Sequence, residues 1–100
     1  MLTYTGRLSP RSEERSVAES LVVMYSRRTC GLCDEARAVI LGERERRPFR
    51  FEEVFIDGDD DLELRYGLRV PVVEVNGAEE FEIAVESRRL RQLLKRRTPR

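Results

Sequence analysis

The chain has 100 residues, which is the usual length of one domain with a single hydrophobic core. Its 19 basic and 19 acidic residues balance, so the composition points to no polyanionic partner. No apolar run approaches the roughly 18 residues of a membrane helix, and no signal-peptide pattern opens the chain. Two cysteines are too few for the disulfide framework of a small secreted domain. We therefore expect a soluble, cytoplasmic protein that does not associate with membranes.

The sequence divides into a tail and one domain. Residues 1–20 mix Arg, Glu, Ser and Pro with few apolar residues, which predicts a flexible N-terminal tail, and the domain is expected to span residues 21–97. The domain opens with the apolar run LVVMYS, residues 21–26, which is typical of a central strand buried on both faces. Residues 30–47 follow with helical spacing. The core-facing stripe of this helix is expected to contain Leu32, Ala36, Val39 and Ile40.

A second strand and a short helix come next. Residues 49–57 are rich in Phe and Val, as strands are, and residues 58–67 are predicted to form a short acidic helix. Asp59 or Asp60 is the expected N-cap of that helix, and Gly67 is its expected stop. A right-handed connection through the first helix makes the first two strands parallel.

A hairpin and a final helix complete the domain. The strands at residues 71–75 and 79–85 flank Asn76-Gly77, which is a strong signal for a tight hairpin turn. In the second of these strands the alternating residues expected to share one face are Phe81, Ile83 and Val85. The last helix, residues 86–97, is expected to pack through Leu90, Leu93 and Leu94. The predicted order is therefore β-α-β-α-β-β-α, which is an α/β fold.

The carboxyl ends of the two parallel strands should meet at one edge of the sheet, where ligands bind in open α/β folds. Cys30 follows the first strand, and residues 57–61, which include four aspartates, follow the second. The thiols and this acidic loop are thus predicted to be neighbours.

Cys30 and Cys33 allow three interpretations: apolar fillers of the core, metal ligands, or a redox pair. A zinc site normally has four ligands, and with no histidine and no further cysteine it would need carboxylates or a second chain. A helix N-terminus supplies N–H donors and partial positive charge, and Arg27 and Arg28 lie close by in the sequence. We therefore expect the pKa of Cys30 to be moderately lowered. The residues alone leave the three interpretations open.

The motif Cys-Gly-Leu-Cys after a strand, with the later segment ELRYGLRVPVVEVNG, resembles the thioredoxin superfamily and its glutaredoxin-like branch, over about residues 21–95. The resemblance implies a thioredoxin-like fold, with a four-stranded mixed sheet flanked by helices, and thiol–disulfide oxidoreductase activity. It implies that Cys30 attacks a substrate disulfide and that Cys33 resolves the mixed disulfide. It also implies that Pro71 follows a cis peptide bond beside the thiols, and that the backbone of Val70 pairs with an extended substrate.

The glutathione site of that branch is not reproduced. Glutaredoxins hold the glutathione carboxylate with a Gly-Gly turn after the hairpin, where this chain has EIAVES, residues 82–87. We therefore predict that glutathione binds weakly as a co-substrate. The expected substrate is a protein or small-molecule disulfide, with a preference for a protein disulfide or a basic peptide. Arg28 and Arg69 are predicted to join Val70 and Pro71 in binding the substrate. Neither a bound cofactor nor a metal ion is expected, and the oligomeric state is left open.

A second interpretation keeps the fold but not the catalysis. The cysteines would then serve redox sensing, partner binding, or an iron–sulfur cluster shared between two subunits. Nucleic-acid binding is a further interpretation to weigh for the C-terminal segment, since residues 88–100 hold seven basic residues and no acidic one. It lacks the aromatic side chains that stack on bases, so nucleic acid is not an expected partner.

Overall fold

The computed structural model of the protein describes residues 19–96. Its elements are β1 (Leu21–Ser26), α1 (Gly31–Arg46), β2 (Arg50–Phe55), α2 (Asp60–Tyr66), β3 (Val72–Val75), β4 (Ala78–Glu82) and α3 (Ser87–Arg96). This order confirms the predicted succession of strands and helices. Residues 1–18 of the predicted tail lie outside the described residues, and so does residue 97, the last residue of the predicted domain. None of the helices within residues 19–96 has the length and apolar character that a bilayer crossing demands.

The four strands form one mixed sheet in the order β2-β1-β3-β4. β1 runs parallel to β2, from Leu21 opposite Arg50 to Ser26 opposite Phe55. β3 is antiparallel to both β1 and β4, and the β3–β4 connection is the predicted Asn76-Gly77 turn. The mixed sheet and its flanking helices confirm the predicted fold class.

Helices cover both faces of the sheet. On one face Val22 of β1 packs with buried residues of α1 and α3, including Ile40 and Leu90. On the other face Tyr66 of α2 stacks on Tyr25 of β1, with the ring centroids 4.2 Å apart. The predicted core residues of α3 are all buried, namely Leu90, Leu93 and Leu94. Because alternate residues of β1 point to opposite faces, α1 and α3 share one face of the sheet and α2 covers the other.

The prediction for the buried face of α1 is wrong at its first position. Leu32 is 45% exposed, and the buried residues of the helix are Cys33, Ala36, Ile40 and Glu43. The helix begins at Gly31 with Cys30 as its N-cap, and positions 33, 36, 40 and 43 follow one helical face from there. Cys33 therefore takes the first core position in place of Leu32.

The last predicted strand is too long. β4 ends at Glu82, whereas the alternation of apolar residues predicted a strand to residue 85. Ile83 has a φ of 75°, in the left-handed region outside the range of strands, and its side chain is 42% exposed. Phe81 and Val85 both pack on the core, so Ile83 does not share their face as predicted.

A buried carboxylate joins α1 to α3. Glu43 accepts hydrogen bonds from Arg91, at 2.9 Å from Nη2 and 3.2 Å from Nε, and a further one from the Ser87 hydroxyl. The Arg91 guanidinium is the main cause, and the Ser87 hydroxyl the second, that lowers the pKa of Glu43 from its ordinary 4.5 to about 2. Both donors favour the ionised carboxylate, so the contact stabilises the packing of these two helices when Glu43 is charged.

Candidate redox site

The two cysteines lie at the N-terminus of α1 and form a disulfide bond with each other. Their Cα atoms are 5.2 Å apart, within the usual range for a disulfide. Cys30 is the N-cap of the helix, and its sulfur accepts a hydrogen bond of 3.0 Å from the backbone N–H of Cys33. The two cysteines of the motif are therefore joined in a disulfide, and the sulfur of Cys30 caps the N-terminus of α1.

The two sulfurs differ in how far solvent reaches them. Cys33 is fully buried beneath the first turn of α1, whereas Cys30 is only half-buried. After reduction, the N–H of Cys33 and the helix dipole would favour a thiolate at Cys30, because hydrogen bonds to a charged acceptor are the stronger ones.

Within residues 19–96 no three His, Cys, Asp or Glu side chains are grouped closely enough to hold a metal ion.

The segment before β3 lies at the same edge of the sheet as the disulfide. The bond between Val70 and Pro71 is cis, as predicted, and Pro71 is fully buried. β1 and β3 are paired with Tyr25 opposite Val72, so Pro71 lies beside the carboxyl end of the strand that leads to Cys30. Among the described residues neither the N–H nor the C=O of Val70 takes part in a hydrogen bond.

Two of the three arginines near the motif are already paired with carboxylates. Arg27 donates two hydrogen bonds to Glu63, of 2.7 and 2.8 Å, and one of 3.1 Å to the carbonyl of Gly67, the residue that follows α2. Arg69 donates to Glu82 at 2.9 Å and to Glu79 at 3.1 Å. These arginines are therefore less available to an anionic ligand or to the Cys30 thiolate than their sequence positions indicated.

Arg28 has a different environment. Its guanidinium carbon lies 4.8 Å from the centroid of the Phe55 ring, and no carboxylate within residues 19–96 forms a salt bridge with it. Its backbone N–H donates to the Asp57 side chain at 3.1 Å. That bond joins the loop before Cys30 to the acidic loop after β2, as expected from the parallel strands.

A polar network supports the first turns of α1, and sequence reasoning missed it. Arg37 pairs with Glu53 of β2, with Nη2 at 2.5 Å and Nε at 2.8 Å from the carboxylate, and with Asp34 one turn back. Glu53 also accepts from the buried Ser26 hydroxyl at 2.7 Å. The Arg37 guanidinium is the main reason why the pKa of Glu53 is lowered. Only the spacing of Asp34 and Arg37 on one helix face could have indicated part of this network.

Comparisons with known proteins point to one family. The family described as Glutaredoxin-like domain (DUF836) matches residues 21–95, which include both cysteines and Pro71. The chain is 37% identical to protein XcR50 from X. campestris, with a TM-score of 0.63 over 75% of this chain and 96% of that one. It is 28% identical to protein Ne2328 from Nitrosomonas europaea, with a TM-score of 0.67 over 76% of this chain and 92% of that one.

More distant structures share the fold alone. The thioredoxin of Fasciola hepatica is 16% identical, with a TM-score of 0.57 over 90% of this chain and 91% of that one. The search of curated proteins found no match. A thioredoxin-like fold with a Cys-x-x-Cys disulfide at a helix N-terminus is an arrangement suited to redox chemistry.

Proposed function

We propose that this chain, which belongs to the glutaredoxin-like domain family and has the thioredoxin fold, is a thiol–disulfide oxidoreductase. The observation that carries the proposal is the unequal pair of sulfurs. Cys30 is partly accessible and caps α1, and Cys33 is buried directly behind it within disulfide distance. An incoming disulfide can therefore reach one sulfur only, while the second sulfur is positioned to complete the exchange.

The reaction would proceed in two exchange steps. First, the Cys30 thiolate attacks one sulfur of the substrate disulfide, the substrate S–S bond breaks, and one substrate thiolate leaves. Second, Cys33 loses its proton and attacks the Cys30 sulfur, which forms the Cys30–Cys33 disulfide and releases the second substrate thiolate. The substrate gains two electrons and two protons, and the protein loses them. A dithiol reductant would return the pair to the reduced form by the same exchange in reverse.

The segment at Val70 and Pro71 is the proposed binding strand for the substrate. The backbone N–H and C=O of Val70 have no hydrogen-bond partner within residues 19–96, and they can form hydrogen bonds with an extended chain, as an added strand does in peptide recognition. Arg28 can contribute a positive charge at this edge, whereas the charge of Arg69 is shared with Glu79 and Glu82. These features favour a polypeptide disulfide as the substrate. A reducing compartment such as the cytoplasm would supply the dithiol that the reaction requires.

Glutathione is a poor fit to this site. The turn that would hold its carboxylate in a glutaredoxin is occupied by residues 82–87, EIAVES, without adjacent glycines. Arg27 and Arg69, which could have compensated, each have carboxylate partners of their own. We therefore propose that a protein dithiol, rather than glutathione, reduces the Cys30–Cys33 disulfide.

The test is a redox titration combined with turnover of a model disulfide. We expect reversible oxidation with a loss of two hydrogens, and catalysed reduction of the model disulfide in the presence of a dithiol. Cys30→Ser should abolish turnover, and Cys33→Ser should accumulate the mixed disulfide, which mass spectrometry detects as an adduct on Cys30. Reversible oxidation without any turnover would instead support the alternative, which is a non-catalytic redox-sensing module.

A further inference from the structure

Arg69, the residue before Val70, is bonded to the elements on both sides of its segment. Its Nη1 atom donates to Glu82 at 2.9 Å and to Glu79 at 3.1 Å, both of which belong to β4. Its Nη2 atom donates to the carbonyl oxygen of Arg65 in α2, at 3.0 Å. One side chain therefore ties the segment before β3 to α2 and to β4.

The backbone of Val70 is held by hydrogen bonds only through its neighbours. Within residues 19–96 its own N–H and C=O have no hydrogen-bond partner, although its side chain packs on the cluster around Tyr66. The N–H of Arg69 donates to the carbonyl oxygen of Tyr66 at 2.8 Å, and the N–H of Ile83 donates to the carbonyl oxygens of Pro71 and Arg69, at 2.8 and 3.2 Å. Segments between helices and strands are usually the more mobile parts of a fold. The position of the Val70 backbone therefore depends on the bonds of the residues that flank it.

The charged contacts of Arg69 are made on the far side of β3 from the disulfide. The strand order is β2-β1-β3-β4, so β3 separates β4 from β1, the strand that leads to Cys30. Because its guanidinium is bonded to two carboxylates of β4, Arg69 fixes the segment without directing its charge toward β1. This arrangement suits a residue that holds the binding strand rather than one that contacts the substrate.

We propose that Arg69 is a positioning residue, which through Glu79 and Glu82 holds the segment of Val70 in the orientation that lets a polypeptide disulfide pair with it. These three side chains are called the β4 clamp below. The inference rests on the proposed function and adds to it that the preference for polypeptide disulfides depends on contacts outside the redox pair. It differs from the expectation from the sequence, in which Arg69 itself binds the substrate.

The two carboxylates of the clamp separate these roles. If Arg69 bound the substrate directly, glutamine in place of Glu79 and Glu82 would free its guanidinium donors for the peptide and speed the reaction. If Arg69 acts by holding the segment, the same change loosens the segment and slows the reaction, as the loss of Arg69 does. The two roles therefore predict opposite results for one variant.

The expected effect is modest because the β4 clamp is partly exposed. The exposed fraction of the side chain is 36% for Arg69, 41% for Glu79 and 53% for Glu82. A single exposed ion pair contributes little, whereas two carboxylates on one guanidinium form a small network. Without the clamp, part of the free energy of substrate binding would be used to order the segment. We therefore expect the reaction with a peptide to slow by about fivefold when the clamp is broken.

Two disulfides provide the probes. One is a short, uncharged peptide with blocked termini, used as its symmetric disulfide, and the other is bis(2-hydroxyethyl) disulfide, which has no amide groups to pair with Val70. Reduced protein, freed of reductant, is mixed with each disulfide, quenched in acid and alkylated, and mass spectrometry gives the second-order rate constant of its oxidation. Each constant is divided by that of the same disulfide with dithiothreitol, which removes differences in intrinsic reactivity. The readout is the ratio of the peptide value to the hydroxyethyl value.

Arg69→Gln and the double variant Glu79→Gln/Glu82→Gln should each lower this ratio by about fivefold, while the normalised rate with bis(2-hydroxyethyl) disulfide stays unchanged. Arg69→Lys keeps a charge for the carboxylates and should restore part of the ratio. The double variant breaks the clamp from β4, so the test does not depend on the folding of Arg69→Gln. Arg65→Gln is the matched control and should keep the ratio, because the exposed Arg65 side chain forms no salt bridge within residues 19–96 and its carbonyl remains in place.

A ratio that Arg69→Gln leaves unchanged, or that is no higher than one in the unmodified protein, would overturn the positioning role while leaving the oxidoreductase function intact. A ratio that rises in the double variant would assign Arg69 to direct binding and overturn the role as well. An equal fall of both normalised rates would show a general effect on the redox pair, which also contradicts positioning. Failure of the unmodified protein to react with either disulfide would instead contradict the proposed function itself, and the role of the clamp with it.

Discussion

The contact between Glu43 and Arg91 makes a quantitative prediction about stability. If folding lowers the pKa of Glu43 from 4.5 to about 2, the ionised carboxylate contributes at most about 3 kcal/mol at neutral pH. Arg91 remains 38% exposed, so water screens part of this interaction. We therefore expect Glu43→Gln to lower the free energy of unfolding by about 2 kcal/mol at pH 7, which is in the range for buried hydrogen bonds to charged groups.

The pH dependence has a definite sign. The pKa of Glu43 is lower in the folded state than in the unfolded state, so its contribution is complete above about pH 4.5 and is lost as the pH falls toward about 2. Urea unfolding of the protein and of Glu43→Gln should therefore give a difference that shrinks to less than half by about pH 2.5. Glu45→Gln, on the exposed side of the same helix, is the control and should differ little at either pH. A difference that stays constant between these pH values would show that packing, rather than charge, explains the loss.

Two further predictions concern the site. Iodoacetamide at neutral pH should label Cys30 of the reduced protein well ahead of Cys33, because Cys33 is fully buried and Cys30 is not. Peptide mapping measures the order of labelling, and equal or reversed labelling would contradict the assigned roles. Glutathione at millimolar concentration should reduce the oxidised protein slowly and without saturation, whereas a dithiol of the thioredoxin-reductase type should reduce it rapidly. Fast, saturable turnover with glutathione would contradict this prediction, and changing the aspartates of residues 57–61 to asparagine measures how much their charge contributes.

Features with local causes could be predicted from the sequence. The Asn76-Gly77 turn has φ of 52° and 91° at its two residues, which is the conformation that this pair of residues favours. Asp59 caps α2 by accepting from the backbone N–H of Leu62, and Gly67 follows the last turn, both as predicted. Each of these signals depends on residues within a few positions of one another, and the order of strands and helices followed from them.

Contacts between distant residues could not be predicted in this way. Arg27 and Glu63 are 36 residues apart, and Glu43 and Arg91 are 48 residues apart. The position of Arg27 in the sequence suggested a positive charge available to Cys30, and nothing in the sequence indicated the pairing of Glu43 with Arg91. The side chains acquire their partners only when the sheet brings the loop after β1 to α2, and when α1 packs on α3. The electrostatics of the site therefore depends on the fold rather than on the motif.

The error at Ile83 has a different origin, because there the local signal was clear and the backbone did not follow it. Alternating apolar residues favour a strand through residue 85, but the N–H of Ile83 bonds to the carbonyls of Arg69 and Pro71, at the start of the neighbouring strand. The partner that ends β4 is thus the segment that contains Val70, the residue proposed to pair with the substrate. These two hydrogen bonds hold Ile83 in a backbone conformation that its side chain does not favour, as surrounding structure can do where it over-determines a position. The end of β4 is therefore set by a contact with the segment that leads into β3, which the side-chain pattern within β4 could not indicate.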